Sequence, residues 1–161
     1  MKYVVCLCGS PGAGKSSFAH LLCGEMKLNF ALELQPEIVS YDEVSKNYIG
    51  KLSFKEIRSI TMSLIAEKLK SDSCRNVIIV DDTMHYHSMR RELYACSRDS
   101  RAAMRVVWLR CDVEVAVERD NARDATLGEE TVRKVHSMFE APREEYIWER
   151  GYVTVDTTDE V

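Results

Sequence analysis

An α/β fold with a parallel five-stranded sheet flanked by helices is what this sequence predicts, and three observations predict it. Short apolar runs alternate with helical patterns along the chain, the order that places parallel strands between crossover helices. A glycine-rich stretch, GSPGAGKSS at 9–17, separates the first apolar run from the first helical pattern. Acidic residues follow several apolar runs, at the carboxyl ends of strands where parallel sheets gather their ligand chemistry.

The first strand covers 3–8 and the first helix about 15–27, where Phe18, Leu21, Leu22 and Met26 keep helical spacing. A second strand covers about 36–40. The helix over 53–72 has the clearest periodicity, with Ile57, Ile60, Leu64, Ile65 and Leu69 on one face and a capping box of Ser53 and Glu56 at its start. NVIIVDD, 76–82, is a buried strand ending in two acids. Helix 85–101, strand 104–111 and helix 113–123 follow. A helix within 126–140 starts at Thr126 or Gly128, and a last strand covers 152–157. The 161 residues read as one domain, in which the polar stretch at about 124–135 forms a short lid.

Composition excludes several classes. A net charge of −4 and a pI near 5.6 argue against a strong nucleic-acid binder, because phosphate contacts require clustered Lys and Arg. The longest apolar runs are about half a dozen residues, far short of the ~20 that cross a bilayer. The short apolar run near the N-terminus flows into the glycine-rich loop, which excludes a signal peptide. None of the six cysteines (Cys6, Cys8, Cys23, Cys74, Cys96 and Cys111) forms a C-x-x-C pair. Cys6 and Cys8 share one face of a strand and read as packing residues. A reduced, cytoplasmic setting is expected.

Gly9, Gly14, Lys15 and Ser16 fit G-x-x-x-x-G-K-S, the phosphate-binding loop or Walker A motif. Its glycines let the backbone curl so that N–H groups point inward at an anion, and the following helix adds its N-terminal N–H groups. Lys15 reaches the outer phosphates and the Ser16 hydroxyl ligates Mg²⁺. Ser10, Pro11, Gly12, Ala13 and Ser17 complete the ATP-binding stretch. A chance glycine-rich turn of this pattern is expected in about one chain in two hundred of this length, and here the required strand and helix flank it. The fold expected is therefore that of a P-loop kinase.

Asp42 stands just past the second strand. It reads either as the carboxylate that orients an acceptor hydroxyl and takes its proton, or as a helix N-cap. Asp81, at the tip of the third strand, reads as part of the magnesium shell; Asp82 beside it is divided between substrate contact and solvated turn acid. Arg119 and Arg123, four apart, would share a helix face and clamp the transferring phosphoryl group, against the alternative of a solvated face paired with Glu118 and Asp120. His85 and His87 lack a third metal ligand and read as exposed loop histidines or acceptor contacts. Arg90 and Arg91 are candidate substrate phosphate or tRNA contacts, or plain helix charges.

GSPGAGKSS, SYDEV, IIVDDTMHYHSMRRELY, ERDNAR and EAPREEYIWE occur in this order, and with them the chain resembles the kinase domain of the O-phosphoseryl-tRNA(Sec) kinase family, also called L-seryl-tRNA(Sec) kinases. The resemblance runs from Tyr3 to about Trp148, and the elongator-associated P-loop ATPases of tRNA wobble-base modification share much of it. It implies phosphorylation of the serine hydroxyl of seryl-tRNA(Sec) with ATP and Mg²⁺, in selenocysteine biosynthesis. It also implies that Gly14, Lys15 and Ser16 bind ATP and magnesium, that Asp42 activates the acceptor, that Asp81 takes the Walker B position, and that Arg119 and Arg123 form the family's R-x-x-x-R motif. The helical domain that grips tRNA in that family is expected to be absent here. Weak binding of the seryl-tRNA acceptor end by this chain alone is expected in consequence. A nucleotide-gated ATPase assisting tRNA modification, a small-metabolite kinase and a non-catalytic nucleotide-binding module are the competing readings.

Overall fold

The computed structural model describes residues 1–30, 33–70, 76–124 and 126–159. Eleven elements follow one another among them. These are β1 (Lys2–Cys8), α1 (Lys15–Asn29), β2 (Gln35–Ser40), α2 (Tyr41–Lys46), α3 (Phe54–Lys70), β3 (Asn76–Asp81), α4 (His87–Asp99), β4 (Ala102–Arg110), α5 (Val113–Asn121), α6 (Glu129–Met138) and β5 (Val153–Asp156). Cys74 and the last two residues of the helix expected over 53–72 lie outside the described residues. No described helix is long and apolar enough to cross a membrane.

The five strands form one parallel sheet in the order β2-β3-β1-β4-β5. Strand alternation divides the core between its faces. Leu7, Ile79 and Leu109 pack with Ala19 and Cys23 of α1, Ala116 and Val117 of α5, and Val132 of α6. Val4, Cys6, Cys8, Ile78 and Val80 pack on the other face with Ile65 and Leu69 of α3 and Leu93 of α4. Leu21 departs from its expected place: it is exposed, and the inward stripe of α1 runs instead through Ala19 and Cys23 with Phe18, Leu22 and Met26 alongside. Small residues let α1 lie close to the sheet, and their low hydrophobicity hides the stripe in the sequence.

The helix α2, six residues long and polar, is foreshadowed in the sequence only by the N-cap reading of Asp42. The capping box is formed as its spacing predicts. Glu56 N donates to Ser53 Oγ at 3.3 Å, and Glu56 Oε2 accepts from Ser53 N at 2.8 Å. The Ser53 hydroxyl and N–H hold the Glu56 carboxyl below its ordinary range. That stabilisation is complete above the unfolded carboxyl's pKa and is lost as pH falls through the lower folded value. Ser53→Ala should cost about 1 kcal/mol near neutral pH. Denaturant unfolding should show the gap between wild type and variant narrowing in acid; a gap that does not change with pH would count against the box.

Candidate active site

At the end of β1 the chain enters the glycine-rich loop. Gly9 N donates to Thr83 O at 3.1 Å and Ala13 N to Ser10 O at 3.1 Å. Gly12 has φ +83, and a Cβ there would stand 2.3 Å from Ala116 O, so the loop rests directly on the backbone of α5. Gly14, also at positive φ, starts α1 without a side-chain cap and leaves the first-turn N–H groups to an anion.

Lys15 Nζ donates to Gly9 O at 3.0 Å and Ser10 O at 2.9 Å. Burial lowers its pKa, while Asp81 and then Asp82 oppose the shift. Ser16 Oγ donates to Asp81 Oδ2 at 2.7 Å. Burial raises the Asp81 pKa against the pull of Ser16 and Lys15. A hydroxyl and a carboxylate oxygen side by side, under a loop that presents N–H groups, are hard oxygen donors of the kind magnesium takes.

Asp42 reaches the same corner through the sheet. Ser40 is in register with Asp81, and Asp42 follows two residues later in the first turn of α2. The N-cap there is Ser40, whose Oγ accepts from Glu43 N at 3.5 Å, so the capping alternative for Asp42 does not hold. The Asp42 side chain is exposed, and its charge acts on Lys15 and Asp81.

Asp82 is placed differently from a free substrate acid. Its Oδ2 accepts from Arg58 Nη1 of α3 at 3.0 Å and its Oδ1 from Thr83 N at 2.6 Å. The helix carrying Arg119 ends at Asn121, so Arg123 lies in the turn beyond the Ala122 C-cap, exposed, with its charge felt at Lys15. Arg119 Nη2 donates to Thr157 O at 2.6 Å. Neither arginine is paired with Asp120, whose carboxylate instead accepts from Leu127 N and Gly128 N, each at 3.0 Å, at the turn into α6. The stretch expected as a lid comprises that turn and most of α6, with residue 125 outside the described residues. His136 Nδ1 stands 3.2 Å from Ser10 Oγ, bringing α6 onto the loop.

Arg90 corrects an expectation. Its side chain is fully buried, donating to Glu149 Oε1 at 2.6 Å, Met84 O at 2.5 Å and Glu140 O at 2.6 Å, and so it is no surface contact for RNA. His87 is half-buried in the same cluster, with Nδ1 2.8 Å from Glu149 Oε1, and His85 is half-buried too, so neither is an exposed loop histidine. Arg91 remains exposed, over the ring of Trp148.

Three residues of this region drew no individual attention in the sequence: Arg58, Thr157 and Glu149. Thr157 Oγ1 donates to Ala13 O at 3.0 Å, tying the end of β5 to the loop. Its position directly after the strand-terminal Asp156 was the available signal. Beside the loop, a cavity of about 690 Å³ is lined by Ser10, Trp108, Asp112, His136, Phe139 and Asp156.

The family model described as chromatin associated protein KTI12 matches residues 2–161. An L-seryl-tRNA(Sec) kinase of Methanococcus maripaludis is 26% identical over 160 residues, which are 98% of this chain and 60% of that protein. The human L-seryl-tRNA(Sec) kinase is 29% identical over 79 residues, 48% of this chain and 23% of its own length. The chain therefore spans about 60% and 23% of these two relatives. Among solved structures, Chaetomium thermophilum Kti12 in complex with ADP-AlF3 superposes with a TM-score of 0.83 at 18% identity, covering 98% of this chain and 90% of that one. The Mycobacterium tuberculosis APS kinase CysC, in complex with AMPPNP and APS, superposes with a TM-score of 0.69 at 14% identity over 99% of this chain and 90% of that one. The fold is that of the P-loop kinases, as the glycine-rich loop and the alternation of strands and helices predict.

Proposed function

The chain belongs to the KTI12 family, and from that premise we propose that it is an ATP- and Mg²⁺-dependent phosphotransferase whose acceptor is the serine hydroxyl of seryl-tRNA(Sec), in selenocysteine biosynthesis. The observation that carries the reading is the corner where Lys15, Ser16 and Asp81 meet the exposed carboxylate of Asp42 across the β2–β3 register. The Methanococcus relative, matched over nearly the whole chain, supports the acceptor.

Bound magnesium ATP supplies the phosphoryl group and neutralises its charge. Lys15, released from the Gly9 and Ser10 carbonyls, holds the outer phosphates. Ser16 and Asp81 hold the metal. Asp42 orients the serine hydroxyl and takes its proton as the oxygen bonds to phosphorus and the bond to the ADP oxygen breaks. Arg123 stabilises the equatorial oxygens and Arg119 the nucleotide side. Arg91 borders the acceptor, while Asp82 stays paired with Arg58.

A second reading has a specific observation in its favour. The KTI12 family model matches residues 2–161, and this supports a nucleotide-switched ATPase assisting tRNA modification, the role of the elongator-associated ATPases that the sequence resembles. ATP turnover with and without seryl-tRNA(Sec) separates the two. Tight coupling to tRNA with O-phosphoserine as product is expected, and Lys15→Ala should abolish it. ADP and inorganic phosphate without phosphoserine would favour the switch.

The net charge of −4 sets a further expectation for the 161 residues alone. tRNA should bind weakly, through the acceptor end near Asp42 and Arg91, with a shallow dependence on salt. Filter binding across salt concentrations measures this. Tight, steeply salt-dependent binding would mean that the fold assembles a basic patch.

A further inference from the structure

Neighbouring residues of an extended chain point to opposite faces, and this separates the two acids at the tip of β3. Asp81 turns toward α1 and Ser16. Asp82 turns toward α3 and α4, where it meets Arg58. The two side chains of that pair are each 10% exposed. Arg58 is held from several directions: Nε donates to Glu92 Oε2 at 3.3 Å, and Nη2 to Met89 O at 3.4 Å and to Met84 Sδ at 3.6 Å.

The pair is one link away from the glycine-rich loop. Asp82 Oδ1 accepts from Thr83 N, and Thr83 O accepts from Gly9 N. The next residue, Met84, has φ 45, a backbone conformation that side chains other than glycine rarely adopt. Arg58 therefore grips this turn twice, at the Asp82 carboxylate and at the Met84 sulfur.

We propose that Arg58 is a positioning residue of the nucleotide site: it neutralises Asp82, fixes the turn that anchors Gly9, and thereby leaves Lys15 free for phosphate. Without the guanidinium, Asp82 is a nearly buried anion with no cation of its own. Asp81 and, after it, Asp82 already act on the Lys15 charge, so an unneutralised Asp82 would add to the pull on Lys15. A lysine drawn toward Asp82 is drawn away from the nucleotide. This rests on the reading of the loop as a nucleotide site and is independent of which acceptor is phosphorylated.

Titration of the full chain with a fluorescent ATP analogue and Mg²⁺ tests it. Arg58→Met should weaken binding about tenfold, the effect of one misdirected charge at close range. The double variant Arg58→Met with Asp82→Asn should recover to within about threefold of wild type, because the stranded charge is gone. Arg58→Lys should fall between wild type and Arg58→Met. If Arg58→Met does not fold, the double variant is still expected to fold and to bind. Wild-type affinity in Arg58→Met, or a double variant that binds no better than Arg58→Met, would overturn the proposal and leave Arg58 a packing residue. Lys15→Ala serves as the control: if it binds as wild type does, the nucleotide-site reading fails, which is a separate outcome.

Discussion

Asp42→Asn is expected to reduce phosphoryl transfer about 10²–10⁴-fold, the usual worth of a positioned general base. Its effect on nucleotide affinity should stay within a few-fold. The asparagine keeps the shape of the side chain and removes only the charge that accepts the proton. Among the described residues Asp42 makes no side-chain hydrogen bond that holds the loop, and the α2 cap belongs to Ser40, so the local fold has no reason to change. The measurement is single-turnover phosphate transfer beside a nucleotide titration. Parallel loss of affinity and turnover would move Asp42 into the magnesium or structural role, and unchanged turnover would remove it from the chemistry.

What the sequence could and could not disclose divides along physical lines. Signals carried by neighbours in the chain were legible: the loop, the apolar strands, the Ser53–Glu56 box and the acid at the tip of β3 are local patterns with fixed spacing. The extent of α5 was less so. Nothing in ERDNAR distinguishes an arginine on the last turn from one just past it, and the chain leaves the helix at Ala122. Tertiary pairing was hidden. Arg58 lies amid a helix whose apolar stripe is plain, yet its partner is 24 residues away at the end of β3. Arg90 reads as surface charge because it stands in the run SMRREL, whereas its partner Glu149 is 59 residues further on. A buried ion pair needs both members in view, and a sequence shows only that each exists.

That pair leads to the other large expected effect. Arg90→Met should destabilise the fold by about 3–5 kcal/mol, because it leaves a buried carboxylate without its guanidinium. Glu149 is fully buried, and its remaining partners are His87 Nδ1 at 2.8 Å and the N–H of Arg143 at 2.7 Å. The Met84 and Glu140 carbonyls would lose their donor as well. Glu140 N also donates to His85 O, so the cluster ties the segment after α6 to the start of α4. Loosening it would free the end of the helix that brings His136 to the loop. Replacing both charges, Arg90→Met with Glu149→Leu, should recover much of the loss, since two apolar side chains leave no stranded charge. Denaturant unfolding of wild type, single and double variants measures both quantities. A loss below about 1 kcal/mol in Arg90→Met would show that water reaches the cluster and solvates Glu149, contrary to the burial described above. A double variant as unstable as the single would place the stability in the two carbonyl hydrogen bonds of Arg90 rather than in its charge.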